Sequence, residues 1–170
     1  EVSPEPATSR DLAREAELFA RWSSWLSGSG HTEEAIRAAE SAVALCPTDK
    51  NYQLAFRSHD DRRRQADNEL RRLILIRDPE ERQRTLHRAF WEALCAARRA
   101  HEIDLAQIRA AIAARSVFVR TLGTNEDMFL PHVQLWSLDE PPAHREVRAE
   151  LDRLRWKKYR LLQEYHQGRN

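Results

Sequence analysis

Glycine is scarce in this chain, with four in 170 residues, and two of the four stand in the single run from Ser27 to Gly30. Phosphate-binding loops need several closely spaced glycines, because their backbone must approach the phosphate closely. The chain also has no Gly-x-Ser-x-Gly elbow, which α/β-hydrolases use to expose a nucleophilic serine. These absences argue against a nucleotide-binding protein and against a hydrolase.

Cysteine is scarce as well, and the histidines are not clustered. Cys46 and Cys95 lie far apart, whereas a disulfide framework or a zinc site needs closely spaced pairs. No two of the seven histidines are three or four positions apart, so no helix carries the usual metal-binding pair. We therefore predict no metal and no cofactor, a reducing compartment, and histidines that lie at the surface or at an interface.

Long apolar runs are absent too. Leu73 to Ile76, a run of large apolar residues, has arginines on both sides, and a membrane-spanning helix needs about 20 apolar residues. No segment alternates apolar and polar residues long enough to indicate a strand. The sequence predicts an all-α protein with no membrane span, no catalytic motif and no small-molecule substrate, and so not an enzyme.

Helical periodicity is what the sequence does contain. Thr8 and Asp11 have the spacing of a capping box and predict a helix from Ser9 to Ser27. Its predicted buried face consists of Leu12, Ala16, Phe19, Trp22 and Leu26. Ser27 to Gly30 ends this helix, and Thr32 caps a second, alanine-rich helix that stops at Pro47.

This first hairpin carries a repeat pattern. Gly30, Ala35, Ala42 and Pro47 fall where a tetratricopeptide repeat, a helical hairpin of about 34 residues, has its turn, its small residues and its proline. The segment resembles that family, although Ser23 stands where a glycine is usual. It is equally similar to a pentatricopeptide repeat. An ordinary amphipathic hairpin is the alternative.

Five more helices follow in the prediction. They lie at about 48–74, 78–97, 104–123, 124–136 and 141–168. The polar middle of the first of these, His59 to Asn68, indicates either a solvated helix face or a break. Seven helices would form a short solenoid of three hairpins with a C-terminal capping helix; a compact seven-helix bundle is the alternative. Residues 1–8 are predicted to be an extended arm, 9–168 one domain, and 169–170 a tail.

Arginine dominates the basic residues, since Lys50, Lys157 and Lys158 are the lysines among 28 lysines and arginines. Arginine's planar fork suits contacts to proteins and phosphates. Trp25 and Trp156 fall off the predicted buried faces, and exposed tryptophans often anchor interfaces. The predicted partner-binding residues are Trp25, Arg62, Arg63, Arg64, Trp156, Lys157, Lys158 and Arg160.

These features together favour a structural subunit that docks on a larger protein complex. The arginine bias, the three predicted hairpins and a first residue, Glu1, that is not methionine are similar to the small helical-repeat accessory subunit of euglenozoan mitochondrial ATP synthase. That resemblance implies a place on the catalytic head, on the matrix side of mitochondria. The alternative function is an organellar RNA-binding or ribosome-associated protein.

Overall fold

The computed structural model describes residues 6–123 and 142–168, and every regular element in these residues is helical. The five α-helices are α1 (Ser9–Gly28), α2 (Thr32–Leu45), α3 (Asp49–Arg71), α4 (Pro79–Ala113) and α5 (Pro142–Gln167). A short 3-10 turn, Leu73–Leu75, stands between α3 and α4. The all-α prediction is confirmed. The chain forms two compact units, one ending at Ser58 and one beginning at His59.

The first unit is built on the α1–α2 hairpin. The predicted capping box is present, because the Thr8 hydroxyl accepts from the Asp11 amide while the Asp11 carboxylate accepts from the Thr8 amide. Leu26 packs against Ala35 and Ala38. These small α2 side chains let the two helices approach closely.

Ser23 shows how a polar residue fits into this contact. Its hydroxyl donates to the Ala35 carbonyl over 2.7 Å, and the side chain is buried. The prediction for Trp22 is wrong: 53% of it is exposed, so it does not belong to the buried face. Ser23 lies four residues after Phe19 and three before Leu26, so it is nearer than Trp22 to the centre of the buried face.

The second unit contains the end of α3 together with α4 and α5. Ala66 and Leu70 of α3 pack against Phe90 of α4, and Glu69 pairs with Arg88 over 2.7 Å. The end of α3 therefore lies beside the start of α4, so this pair is antiparallel. The polar stretch of α3 is neither broken nor solvated as a whole: His59, Asp60, Arg63 and Asp67 are buried.

α5 runs parallel to α4. Val147, near the start of α5, packs with Phe90 in the first half of α4, while Leu161, near its end, packs against Ile108. The structure confirms helices packed in sequence-adjacent pairs and does not confirm a repeat or a solenoid.

Six of the seven predicted helices fall in the described residues, where the structure has five α-helices. α4 is one helix of 35 residues, with Asp104 in its interior, where the sequence predicted two helices. Its start is as predicted, with Asp78 as the cap and Pro79 in the first turn. The predicted helix at 124–136 lies outside the described residues.

α4 also ends ten residues earlier than the predicted end at Gly123, and the reason is local. Arg115 has φ of 54°, the left-handed conformation that normally favours glycine, and the Ser116 amide donates to the Ala111 carbonyl. α1 ends in the same way at Gly30, with φ of 82° and a hydrogen bond from His31 to Leu26. An arginine at this position gives no sequence signal for a helix end.

Two substitutions test these helix ends. Arg115→Gly should raise the free energy of unfolding by about 0.5–1 kcal/mol, because it removes the strain of a β-carbon in the left-handed region. Gly30→Ala should lower it by about 1 kcal/mol for the same reason. Urea unfolding measures both. A loss of stability in Arg115→Gly would contradict this account of the α4 end.

Candidate partner-binding surfaces and a buried polar layer

α1 carries an exposed apolar surface, which we call the α1 stripe and define as Leu18, Trp22 and Trp25. Their exposed fractions are 66%, 53% and 59%. The positions are four and three residues apart, so they share one side of the helix. The two indole rings stack, with centroids 5.0 Å apart and planes 16° from parallel. The predicted exposure of Trp25 is confirmed.

A groove of about 500 Å³ lies in the first unit between α1 and the start of α3. Charged side chains among its lining residues are Glu17, Arg21, Lys50 and Arg57. Arg21 is already paired with Glu17 over 2.7 Å. The groove is separate from the α1 stripe, because none of its lining residues belongs to the stripe.

α5 carries a second exposed aromatic pair. Trp156 is 64% exposed and Tyr159 is 51% exposed, with ring centroids 5.9 Å apart and planes 88° apart. Together with Asp152 and Arg155 they line a groove of about 350 Å³. The predicted exposure of Trp156 is confirmed, and Lys157 and Arg160 are exposed beside it.

The predicted Arg62–Arg64 cluster does not form one basic patch. Arg63 is buried, and its Nε donates to Asp60 Oδ1 over 2.8 Å. Arg64 is exposed and pairs with the other oxygen of Asp60 at 3.0 Å. Arg62 is half-buried. Consecutive residues of a helix point in different directions, so the run divides between interior and surface.

Lys158 is also placed inside the protein, although it was predicted to bind a partner. It is 2% exposed, while its neighbour Lys157 is exposed. The Lys158 ammonium lies 2.7 Å from Asp104 Oδ2 and 2.7 Å from His101 Nδ1. We call these three residues the polar layer. It joins α5 to the middle of α4, between the two apolar clusters at either end of this helix pair.

Burial sets the proton affinities in the polar layer. It lowers the pKa of His101 from 6.5 to about 3, with smaller contributions from the Lys158 charge and from Arg155 and Arg63. Burial also lowers the pKa of Lys158, and Asp104 opposes that shift by stabilising the ammonium. His101 is therefore neutral at pH 7, with Nδ1 accepting a hydrogen bond from Lys158.

The polar layer also holds the chain that follows α4. Asp104 is fully buried, and its Oδ1 accepts from the Leu122 amide over 2.8 Å. Two more contacts hold the same segment: Val119 packs against Ile108, and the Tyr165 hydroxyl donates to the Ser116 carbonyl. Asp104 thus orders both α5 and the segment after α4.

The prediction that all histidines lie at a surface or an interface is wrong for His59, His101 and His144, which are buried within the chain. The sequence does contain a signal that His101 is buried. His101 and Asp104 are three positions apart on a helix rich in buried alanines, and polar residues on such a face need partners. Nothing in the sequence indicates that the partner is Lys158.

Metal-binding clusters and membrane-spanning helices are absent from the described residues. In residues 6–123 and 142–168, no three histidine, cysteine or acidic side chains cluster closely enough to hold a metal ion. The helices of the same residues include none with the length and apolar character that crossing a bilayer requires. Burial raises the pKa of the Cys95 thiol, so this side chain is less reactive than an ordinary cysteine.

Comparison of the chain with models of protein families, with characterised proteins and with solved structures finds no match in any of the three. What these findings support is an all-helical protein of five helices in the described residues. The functional interpretation therefore depends on the surfaces themselves.

Adjacent lysines provide a test of the polar layer. Lys158→Met should lower the free energy of unfolding by about 3–5 kcal/mol, because it leaves the buried Asp104 carboxylate without its cation. Lys157→Met makes the same chemical change at an exposed position and should alter stability by less than about 0.5 kcal/mol. Urea unfolding measures both. Equal effects of the two substitutions would contradict the burial of Lys158.

The low pKa of His101 predicts a pH dependence. Between pH 6.5 and 3 the unfolded state binds a proton at this residue that the folded state does not, so stability falls as the pH falls. From pH 7 to pH 5 the wild type should lose about 2 kcal/mol more than His101→Asn, whose amide oxygen can still accept from Lys158.

Urea unfolding at the two pH values measures this difference, and the other titrating groups contribute to both proteins alike. Parallel losses in wild type and variant would show that His101 does not titrate as its burial requires.

Proposed function

We propose that this protein is a non-catalytic subunit that docks on a larger protein assembly, with the α1 stripe as an anchoring surface. The observation that supports the proposal is the stacked and exposed pair Trp22 and Trp25 beside Leu18. Large aromatic side chains contribute a disproportionate share of the energy of protein interfaces. Three large apolar residues in a row on one exposed side of a helix are a contiguous patch rather than scattered exposure.

The stacking of the rings strengthens this argument. A tryptophan that is free in solution samples several rotamers, and fixing it in an interface costs entropy. Contact between Trp22 and Trp25, with centroids 5.0 Å apart, restricts both side chains before any partner arrives. A preorganised aromatic pair binds with a smaller entropic cost than two independent side chains.

The polar layer supports a non-catalytic role. His101, Asp104 and Lys158 converge in the second unit, and each is at most 2% exposed. They form hydrogen bonds with one another and with the backbone. A general acid or base has to reach its substrate, so these groups act in structure rather than in chemistry.

The resemblance drawn from the sequence supplies a candidate assembly, the catalytic head of mitochondrial ATP synthase on the matrix side. An organellar RNA-binding or ribosome-associated protein is the alternative. A polar, basic surface would be the natural RNA site, whereas the α1 stripe is apolar. For this reason docking on protein is the function that we favour.

A paired substitution tests the proposal. The tagged chain and its Trp22→Ser/Trp25→Ser variant would be recovered from source mitochondria after nuclease treatment, with protein partners quantified by mass spectrometry. We expect stoichiometric recovery of subunits of one assembly with the wild type and a loss of about tenfold or more with the variant, because each truncated anchor costs more than about 1 kcal/mol.

The matched control is Trp22→Phe/Trp25→Phe, which keeps two aromatic side chains and should retain most of the recovery. Recovery of ATP synthase subunits would identify the assembly. Partners that disappear with nuclease treatment, or recovery that is equal for the wild type and the serine variant, would contradict docking through the α1 stripe.

A further inference from the structure

One side of α5 combines aromatic and basic residues, and we call it the α5 strip. It consists of Arg148, Asp152, Arg153, Trp156, Tyr159 and Arg160. Each member is three or four positions from Asp152 or Trp156, so neighbouring members meet on one side of the helix. Val147, Leu151 and Lys158 lie on the opposite, packed side. The strip is therefore a solvent-facing surface of the second unit.

Charge is distributed unevenly around α5. The α5 strip carries three arginines and one aspartate, with Arg145 one turn before it and Arg155 lining its groove. Glu150 accepts from Arg98 of α4 over 3.0 Å, and Lys158 is paired with Asp104. Apart from these two pairs, described α5 carries six lysines and arginines and three acidic side chains, so basic charge is in excess on this helix.

Arg153 and Arg160 show the surplus charge most clearly. Both are exposed, and neither makes an ion pair within the part of the chain that the structure describes. Arginine is always charged, and its fork of donors matches the geometry of a carboxylate. The two side chains are therefore available to acidic groups on a partner.

The groove in the strip has an apolar part, whereas the arginines around it are charged. Trp156 and Tyr159 provide its apolar walls, and its volume of about 350 Å³ is at the lower end of the range of small binding pockets. A groove of this size accommodates one large apolar side chain. Arginines on both sides of such a groove complement a partner that is acidic around an apolar residue.

We propose that the α5 strip binds a short acidic protein segment that inserts one large apolar side chain between Trp156 and Tyr159. The arginines of the strip pair with the carboxylates that flank this side chain. The inference rests on the proposed docking function and adds to it a second contact and the chemistry of the partner.

Two observations favour a protein segment over a single-stranded nucleic acid. Asp152 lines the groove, where its carboxylate repels a phosphate. The rings of Trp156 and Tyr159 are 88° apart, so they offer no parallel platform for successive bases. A peptide can place an apolar side chain against perpendicular rings, because edge-to-face contacts of this kind are favourable.

The test uses the full chain and a display library of random peptides about 15 residues long, which is about four turns of helix. After selection, the enriched peptides are synthesised and their affinities measured by fluorescence anisotropy. Arg153→Glu, Arg160→Glu and Trp156→Ser are the test variants. Arg84→Glu is the matched control, since it makes the same charge reversal at an exposed position of α4 outside the strip.

We expect enriched peptides with several acidic residues around one large apolar residue. Their affinity should fall about tenfold or more in each test variant and by less than about twofold in Arg84→Glu. Replacing peptide glutamates by lysine should restore binding to Arg160→Glu. This charge exchange separates a direct contact from an effect on folding.

Four results would overturn the inference: no enrichment, enrichment without acidic residues, equal losses in Arg84→Glu and Arg160→Glu, or tighter binding of a single-stranded oligouridine that depends on the same strip residues. The last result would assign the strip to nucleic acid. None of these results removes the partners recovered through Trp22 and Trp25, so failure here is distinguishable from failure of the proposed docking function.

Discussion

The contact between Lys158 and Asp104 is the interaction on which the second unit depends. Both groups are buried, and the ammonium has carboxylate and imidazole partners at 2.7 Å. A slip of α5 by one helical turn would separate the charges and leave two of them unpaired in an apolar surrounding, at a cost of several kcal/mol. The apolar residues on either side of the polar layer tolerate such a slip far better, because leucine and alanine contacts are interchangeable. We conclude that the polar layer sets the register of the parallel α4–α5 pair.

The contact between Lys158 and Asp104 also determines which residues of α5 are exposed. Fixing Lys158 toward α4 directs Trp156, Tyr159 and Arg160 to the opposite side of α5, because a helix turns by about 100° per residue. The exposed aromatic and basic residues of α5 are thus a consequence of its buried face. In the first unit, the burial of Ser23 and Leu26 against α2 similarly leaves Trp22 and Trp25 outside. In both units the inner contacts of the helix direct the aromatic side chains outward, where a partner can reach them.

Much of the fold could be predicted from the sequence because it is encoded locally. The caps at Thr8 and Asp78 and the turn at Gly30 depend on neighbouring residues, and the structure contains all of them. Other features depend on contacts between distant positions or on backbone strain. Lys157 and Lys158 are equivalent in sequence, and what separates them is Asp104, 54 residues away. The end of α4 at a left-handed Arg115 likewise has no sequence signal. Exposed Trp25 and Trp156 were predictable from periodicity, but the stacking partner Trp22 was not.

The most direct test of the polar layer uses the fact that the chain contains three lysines, Lys50, Lys157 and Lys158. Brief acetylation of the folded protein with an amine-reactive ester, followed by mass spectrometry, measures the accessibility of each one. The account predicts rapid labelling of the exposed Lys50 and Lys157 and protection of Lys158, with equal labelling of all three in urea. Labelling of Lys158 in the folded protein as fast as that of Lys157 would contradict a buried pair with Asp104 and, with it, the proposed register of α5.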